Sequence, residues 1–246
     1  MEMTSNRVFL TFDIDWAGDE AIQFVLDILE EYSCKATFFV THESALINKM
    51  KINHQVELGL HPNFNKIFYA EQSNQNTNIE TIFKDVKKIV PDAVSVRSHC
   101  LTQGTLFMKL FKKYNLLIDC NSYIPFFQLP DANITPWRFW TDTLVVPFVW
   151  SDYIDALQIG NIDLNRLLKT KSAIKVVAFH PIHIFLNTGS IEDYQKYKKS
   201  NLPASEYREL NKPEKYGIEN IFVDFLKEIV NKKIVTGLIR ELLDKQ

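Results

Sequence analysis

The sequence predicts an α/β fold in which parallel strands, covered by helices, close into a barrel. Two observations carry that expectation. Short apolar runs alternate with segments of helical period along the 246 residues, and the units are numerous, which is how repeated βα units read. No internal repeat and no linker rich in Gly, Pro or Ser divides the chain, so residues 1–246 read as a single domain. With 46% apolar and 24% charged residues, the composition is that of a globular enzyme able to bury a substantial core.

The first strand is VFLTFDID, residues 8–15, an apolar run ending in two acids. Ile22, Val25, Leu26 and Leu29 then fall at helical spacing, with Asp19 placed to cap the helix. ATFFV (36–40) is the next strand, ESALINKM a short helix and VELGLH (56–61) a third strand. Ile79, Ile82, Phe83, Val86 and Ile89 make an amphipathic helix, followed by the strand AVSVRSH (93–99). Leu106, Leu110 and Tyr114 mark a further helix before LLIDC (116–120). TLVVPFVW (143–150) reads as one strand, DLNRLLK as a helix and KVVAFH (175–180) as a strand. A helix from Ile218 to Val230, the short strand KIVTG and a terminal helix complete the chain. Two long irregular stretches are expected, an Asn/Gln-rich one at 62–78 and one at 181–217 with four tyrosines; long loops in a compact barrel usually carry function.

Several classes of function are excluded early. Lys plus Arg number 28 against 30 Asp plus Glu, a net charge of −2, so nothing general attracts nucleic acid or an anionic membrane. Cys34, Cys100 and Cys120 are odd in number and lack C-x-x-C spacing, against a disulfide framework or a thiolate zinc site. Acidic residues close behind the first apolar run argue against a signal peptide, and no stretch approaches the ~18 apolar residues of a membrane span. A soluble, cytoplasmic protein is the expectation.

Position is the informative feature of the polar residues. Asp13 and Asp15 end the first strand, His61 another, Arg97 and His99 a third, and Asp119 and His180 two more. Catalytic groups of parallel α/β barrels cluster at the C-terminal strand ends, so five such strands form a constellation. Asp13 and Asp15, two apart on an extended strand, project to one face, and confined carboxylates require a cation beside them. A divalent metal held by Asp and His answers this, with Arg97 neutralising the other acid; the plain alternative has Asp15 capping the next helix and Asp13 solvated. After His61, the run Pro62, Asn63, Phe64, Asn65 places a second candidate ligand one helical turn on. His99 is equally a loop anchor or a ligand. His42, His54 and His183 take structural readings, and Trp137, Trp140 and Trp150 are core or wall residues, although aromatic surfaces also suit sugar rings.

These residues resemble the polysaccharide deacetylases, the NodB-like branch of carbohydrate esterases, and within them the WbmS-like group associated with bacterial surface-polysaccharide synthesis. The resemblance runs from TFDID (11–15) to FHPIH near residue 180 and takes in DCNSYIP and VVPFVWSDY. It implies a deformed (β/α) barrel, Asp13 as general base, Asp15 and His61 as metal ligands, Arg97 as the partner of Asp13 and His180 as general acid. In ELGLHPNFN, Asn65 stands where a second metal-binding His is expected, which leaves Asn65 or His99 as third ligand. Asn63, Asp119 and Trp150 are the candidate substrate-binding residues.

The chemistry this implies is hydrolysis of an N-acetyl or other N-acyl amino sugar, small or carrier-linked. A divalent metal, zinc first among the candidates for such N/O ligation, polarises the amide and activates water; Asp13 removes a proton, and His180 protonates the leaving amine. Rival readings are a hydrolase of a small non-sugar amide or formamide, a non-catalytic sugar-binding relative, and a metal-free glycosidase using Asp119 and Asp152.

Overall fold

The computed structural model describes residues 7–65, 67, 78–129, 132–160, 163–170, 174–210 and 216–245. Strands β1 (Arg7–Asp13), β2 (Ala36–Val40), β3 (Val56–Leu60), β4 (Ser95–Val96) and β5 (Ile118–Asp119) lie side by side in parallel. Then follow β6 (Trp137–Arg138), β7 (Leu144–Val145), β8 (Trp150–Ser151), β9 (Lys175–Phe179) and β10 (Val235–Thr236). The order is β6-β7-β5-β4-β3-β2-β1-β9-β8, with β10 beside the start of β1, and among the described residues only the β6–β7 pair is antiparallel.

The expected single strand at 143–150 is split in two, and the split bridges the two sides of the curled sheet. Val146 N–H donates to Asp119 O (2.8 Å) and Phe148 N–H to Ser122 O (3.0 Å), on the β5 side. Val149 N–H donates instead to Val176 O (2.9 Å) on β9. Pro147, with no N–H to give, lies two residues before Val149, where the partner changes. One stretch of chain therefore links β7, next to one end of the strand order, with β8 at the other, and the sheet curls into a deformed barrel.

Alternation along the strands sorts residues between two environments. Outward, Phe12 stacks on Phe38 (ring centroids 4.7 Å apart), and Phe222 packs against both Phe12 and Phe179 at 5.7 and 5.1 Å. Inward, the lining includes a polar cluster: Thr37 and Ser95 hydroxyls both donate to Glu57 (3.0 and 2.9 Å). The C-terminal 3₁₀ turn Ile239–Lys245 stoppers that end of the barrel, Ile239 N–H donating to Thr37 (3.1 Å) and Arg240 N–H to Glu57 (2.9 Å). Burial pushes the Glu57 carboxyl above its ordinary value in spite of these donors.

The helices are α1 (Asp19–Glu31), α2 (Ile47–Ile52), α3 (Ile79–Ile89), α4 (Thr105–Lys113), α5 (Pro181–Phe185), α6 (Ile191–Ser200), α7 (Ala204–Leu210) and α8 (Ile218–Asn231). Their apolar faces cover the barrel; α8, for example, buries Ile218, Ile221, Phe222, Phe225, Leu226 and Ile229. Four local expectations are corrected. Asp19 does not cap α1: Gly18 holds the cap position, and the Asp19 carboxylate accepts from Ser44 Oγ (2.5 Å) and Ala45 N–H (3.3 Å). Of the stretch 181–217, residues 181–210 are not irregular but hold α5 to α7, and residues 211–215 lie outside the described residues. Residues 163–169, expected as an α-helix, form 3₁₀ turns over Leu164–Lys169. Trp137 and Trp140, expected as core or wall residues, are exposed and line neither the core nor the cavity at the strand ends, whereas Trp150 is buried. Of the Asn/Gln-rich stretch, residues 66 and 68–77 lie outside the described residues. No described helix is long and apolar enough to cross a membrane, and Cys34, Cys100 and Cys120 are free thiols.

Candidate active site

The C-terminal ends of β1, β3, β4 and β9 deliver Asp13, Asp15, His61, Arg97, His99 and His180 to one mouth of the barrel, where a cavity of about 380 Å³ opens. Parallel pairing makes this inevitable: Asp13 lies level with Phe39 on β2, Leu60 with Val96, and Phe12 with Phe179, so successive strands end at one height. Each strand then hands its last polar residue to the same rim.

Arg97 is fully buried, its guanidinium held between the rings of Phe39 and Phe148 at 4.6 and 4.7 Å. Nε–H donates to Cys120 O (3.2 Å) and Nη1–H to Asp13 Oδ1 (3.1 Å). The stacking fixes the guanidinium plane, so Asp13 is oriented by a charge that cannot leave.

Asp15 is equally committed. Thr41 Oγ1–H donates to its Oδ1 (3.0 Å), while Oδ2 lies 2.8 Å from His61 Nε2 and 2.6 Å from His99 Nδ1. Burial works to raise this carboxyl, yet the two rings hold it well below the usual carboxylate range. His61 is pushed the other way: its burial favours the neutral ring, but Asp13 and Asp15 raise it above its ordinary value. His61 Nδ1 is buried with no hydrogen-bond partner and lies 3.7 Å from Asp13 Oδ1. A neutral His61 must therefore aim a lone pair at one carboxylate or the other. That electrostatic conflict disappears when Nε2, the His99 Nδ1 and Asp15 Oδ2 share a cation. One ligand atom from each of Asp15, His61 and His99 lies within 4.8 Å of the others, and the N₂O donor set suits a borderline divalent metal.

Asn65 stands apart from this trio. Its Oδ1 accepts from Thr102 Oγ1 (3.3 Å), and the same hydroxyl lies 3.2 Å from the His99 carbonyl oxygen. The side chain is thereby tied to the turn that carries His99.

His180 faces the trio across the cavity. Asp152, fully buried, takes both its backbone N–H (Oδ2, 2.7 Å) and its ring Nδ1–H (Oδ1, 2.8 Å). Burial works against the charged ring, but Asp152 beside it pushes the imidazole up to about 9. Pro181 ends the strand at once and begins α5, fixing His180 at the helix N-cap. His183, one turn on, is buried and driven down to about 3 by that burial, so it stays neutral.

Three predicted substrate contacts are not in this cavity. Asp119 pairs with Val96, one residue short of Arg97, and so points out of the barrel; its Oδ1 accepts from Asn121 N–H and Nδ2–H (2.8 and 2.7 Å). Trp150 pairs with Val177 and packs outward on Phe179, rings 5.1 Å apart, fully buried. Asn63 lines a neighbouring cleft instead. With Asp119 turned away and Asp152 committed to His180, the glycosidase pair has no basis. The sequence offers Asp152 only as half of that pair, and its pairing with His180 is hidden because the contact joins residues 28 positions apart. Trp16, Tyr153 and Lys198 also line the cavity unforeseen, and Tyr194 joins them from the tyrosine-bearing stretch expected to carry function; the DIDW run at 13–16 is the available signal for Trp16.

A barrel with an Asp/His trio, an Arg-held carboxylate and an Asp-held imidazole at one mouth is equipped for hydrolysis. The sequence profile of the WbmS-like polysaccharide deacetylases matches residues 10–198, and the chain belongs to that family. Its fold is similar to that of a polysaccharide deacetylase described as involved in O-antigen biosynthesis, WbmS from Bordetella bronchiseptica (31% identity, TM-score 0.80, covering 91% of this chain and 90% of that one). It shares the barrel, at the level of fold alone, with the peptidoglycan deacetylase PdaC from Bacillus subtilis (13% identity, TM-score 0.50, covering 98% and 92%). Among curated proteins no sequence match was found.

Proposed function

We propose that the protein is a metal-dependent N-deacetylase that removes an N-acyl group, acetyl first, from an amino sugar in bacterial surface-polysaccharide synthesis. The observation that carries this reading is the pairing, across one cavity, of an arginine-held carboxylate (Asp13–Arg97) with an aspartate-held imidazole (His180–Asp152). One group is suited to take a proton and the other to give one. The WbmS relative supports the surface-polysaccharide setting.

Asp15, His61 and His99 would hold a divalent metal, zinc being the first candidate, and the residues fit it through the unresolved lone-pair conflict at His61. When bound, such an ion supplies Lewis-acid polarisation and a water of lowered pKa. Asp13, held and oriented by Arg97, accepts the proton of the attacking water. His180, charged up to about pH 9, donates to the departing nitrogen; an amine leaves where an amide anion does not. Asp152 holds the ring in the tautomer whose Nε2 faces the cavity. The whole described chain contributes to one barrel, which we take as one catalytic domain working on a soluble or carrier-linked sugar in the cytoplasm.

The test is release of acetate from N-acetylated amino sugars by metal-loaded protein, with and without chelator. Acetate release insensitive to chelation would overturn the metal role, and saccharide binding without any acyl release would mark a non-catalytic relative.

A further inference from the structure

Helix α6 forms a wall of the catalytic cavity to which the proposed mechanism gives no task. The helix is mostly polar and buries only Tyr194, so an apolar stripe does not explain its place at the mouth. Its cavity side is Ile191, Tyr194, Gln195 and Lys198, the i, i+3, i+4, i+7 face of one helix. Tyr194, Gln195 and Lys198 all end in hydrogen-bond donors. The Tyr194 ring is fixed between His183 and Tyr197, centroids at 4.5 and 6.0 Å. Burial pushes its phenol above the ordinary value, so it stays protonated, and its hydroxyl bonds to no described residue.

Lys198 is the one Lys or Arg that lines the cavity among the described residues. Its ammonium lies over the Tyr194 ring, 4.8 Å from the centroid, which ties a long exposed side chain to a fixed surface. Among the described residues it forms no ion pair, whereas Lys196 on the same helix pairs with Asp193 (3.2 Å). The carboxylates of the site are already matched: Asp13 with Arg97, Asp15 with His61 and His99, Asp152 with His180. Lys198 therefore offers an unmatched positive charge at the mouth.

Its position says what that charge faces. From His180 the rings of His183 and Tyr194 follow one another at 5.5 and 4.5 Å. Burial drives His183 down, and the charges of His180 and Lys198 add to that. Lys198 thus lies on the His180 side of the cavity, away from the Asp15, His61 and His99 trio. On the deacetylase reading His180 protonates the departing nitrogen, so this side receives the sugar rather than the acyl group.

We propose that Lys198, assisted by Tyr194 and Gln195, binds an anion carried by the sugar, so that the substrate is an acidic N-acylated amino sugar. The anion is a carboxylate on the ring or a phosphate ester at the anomeric carbon. This inference rests on the deacetylase reading above. The three side chains determine specificity and move no proton.

The experiment compares kcat/KM for N-acetylglucosamine, its anomeric phosphate and its uronic acid, using metal-loaded wild type, Lys198→Ala, Lys198→Arg, Lys198→Glu and Lys199→Ala. Both lysines are exposed on α6, so the substitutions leave the core intact. Wild type should favour one acidic sugar over the neutral one by about tenfold, the scale of one hydrogen bond to a charged group. That preference should weaken as salt is raised and should reside in KM rather than kcat. The ratio should fall toward one in Lys198→Ala, drop below one in Lys198→Glu and be kept in Lys198→Arg. Lys199→Ala, which removes the next charge along the helix but outside the cavity, should also keep it. The acidic sugar that is favoured tells carboxylate from phosphate. A wild-type ratio near one, an acidic preference that survives Lys198→Ala, or one that Lys199→Ala removes equally overturns the proposal. Should none of the three sugars be hydrolysed, the deacetylase reading itself falls, and calorimetric titration of metal-free protein with the two acidic sugars decides the anion site alone. Tighter binding by wild type than by Lys198→Glu sustains it; equal affinity, or no binding by either, ends it.

Discussion

Replacing Asp152 by Asn gives the sharpest test of how the proposed acid is prepared. The change is nearly isosteric: the amide oxygen can still accept the His180 backbone N–H that now reaches Asp152 Oδ2 at 2.7 Å. What is lost is the charge 2.8 Å from His180 Nδ1. Burial alone favours the neutral ring, and Asp152 is the largest influence opposing it, bringing the imidazole up to about 9. From an ordinary value near 6.5, that displacement corresponds to roughly 3 kcal/mol between the two protonation states. Without the carboxylate the ring should return to about 6.5 or lower.

The consequence is read as a pH–rate profile. A general acid must be protonated, so wild-type kcat/KM should fall as pH rises through about 9. In Asp152→Asn the same limb should begin about two and a half units lower, making the variant about thirtyfold slower at pH 8 while its metal content is unchanged. Stability follows with the same sign. Because His180 is raised in the folded state, its contribution is fully present below its unfolded value and is lost as pH climbs through about 9. Urea titrations at pH 6 and pH 10 should therefore differ more for wild type than for the variant. An alkaline limb that stays in place in Asp152→Asn would refute the pairing as the source of the acid.

Three further outcomes are expected. Asp13→Asn should keep its metal and lose activity by about a hundredfold or more, the usual scale for a general base; near-normal turnover would remove it from that role. Metal analysis should show His99→Ala and His61→Ala depleted and Asn65→Ala loaded, since Asn65 Oδ1 is held by Thr102; the reverse result would restore Asn65 as ligand. Arg97→Ala strands a buried carboxylate and empties the slot between Phe39 and Phe148, which should cost about 3–5 kcal/mol by urea unfolding. Asp13→Asn on the same background should recover part of that loss, and a double-mutant cycle with no coupling would mean the two do not interact.

The barrel is legible in the sequence because it is written in period. Strands such as ATFFV and KVVAFH are apolar runs flanked by helical stretches, and both appear where expected, at Ala36–Val40 and Lys175–Phe179. The run TLVVPFVW reads as one strand because its change of partner depends on which neighbour each backbone N–H meets, and only Pro147 hints at it. The helices within 181–217 are hidden for another reason. α6 is mostly polar and buries only Tyr194, so it leaves almost no apolar stripe to read. The cap of α1 falls to Gly18 because the Asp19 carboxylate is drawn to Ser44 and the Ala45 N–H.

The site divides along the same line. Asp13, Asp15, His61, Arg97, His99 and His180 are identifiable because a strand end is a sequence feature. Asp119 and Trp150 join them wrongly because facing is not. Register sets Asp119 beside Val96 rather than Arg97, and one residue of offset turns a side chain from the barrel interior to the helices. Register likewise explains why the sequence leaves the third ligand open. Asn65 and His99 are equally near His61 on paper, one through the following turn and one through the next strand. In the fold, Arg97 N–H bonds to Leu60 O (2.9 Å) and His99 N–H to Pro62 O (3.1 Å), which carries the His99 ring back over His61. Asn65 then meets Thr102 rather than Asp15. On the proposed reading, a ligand position vacated on one loop is filled from the neighbouring strand. The residue left behind is still useful there, because through Thr102 it braces the turn on which the replacement sits.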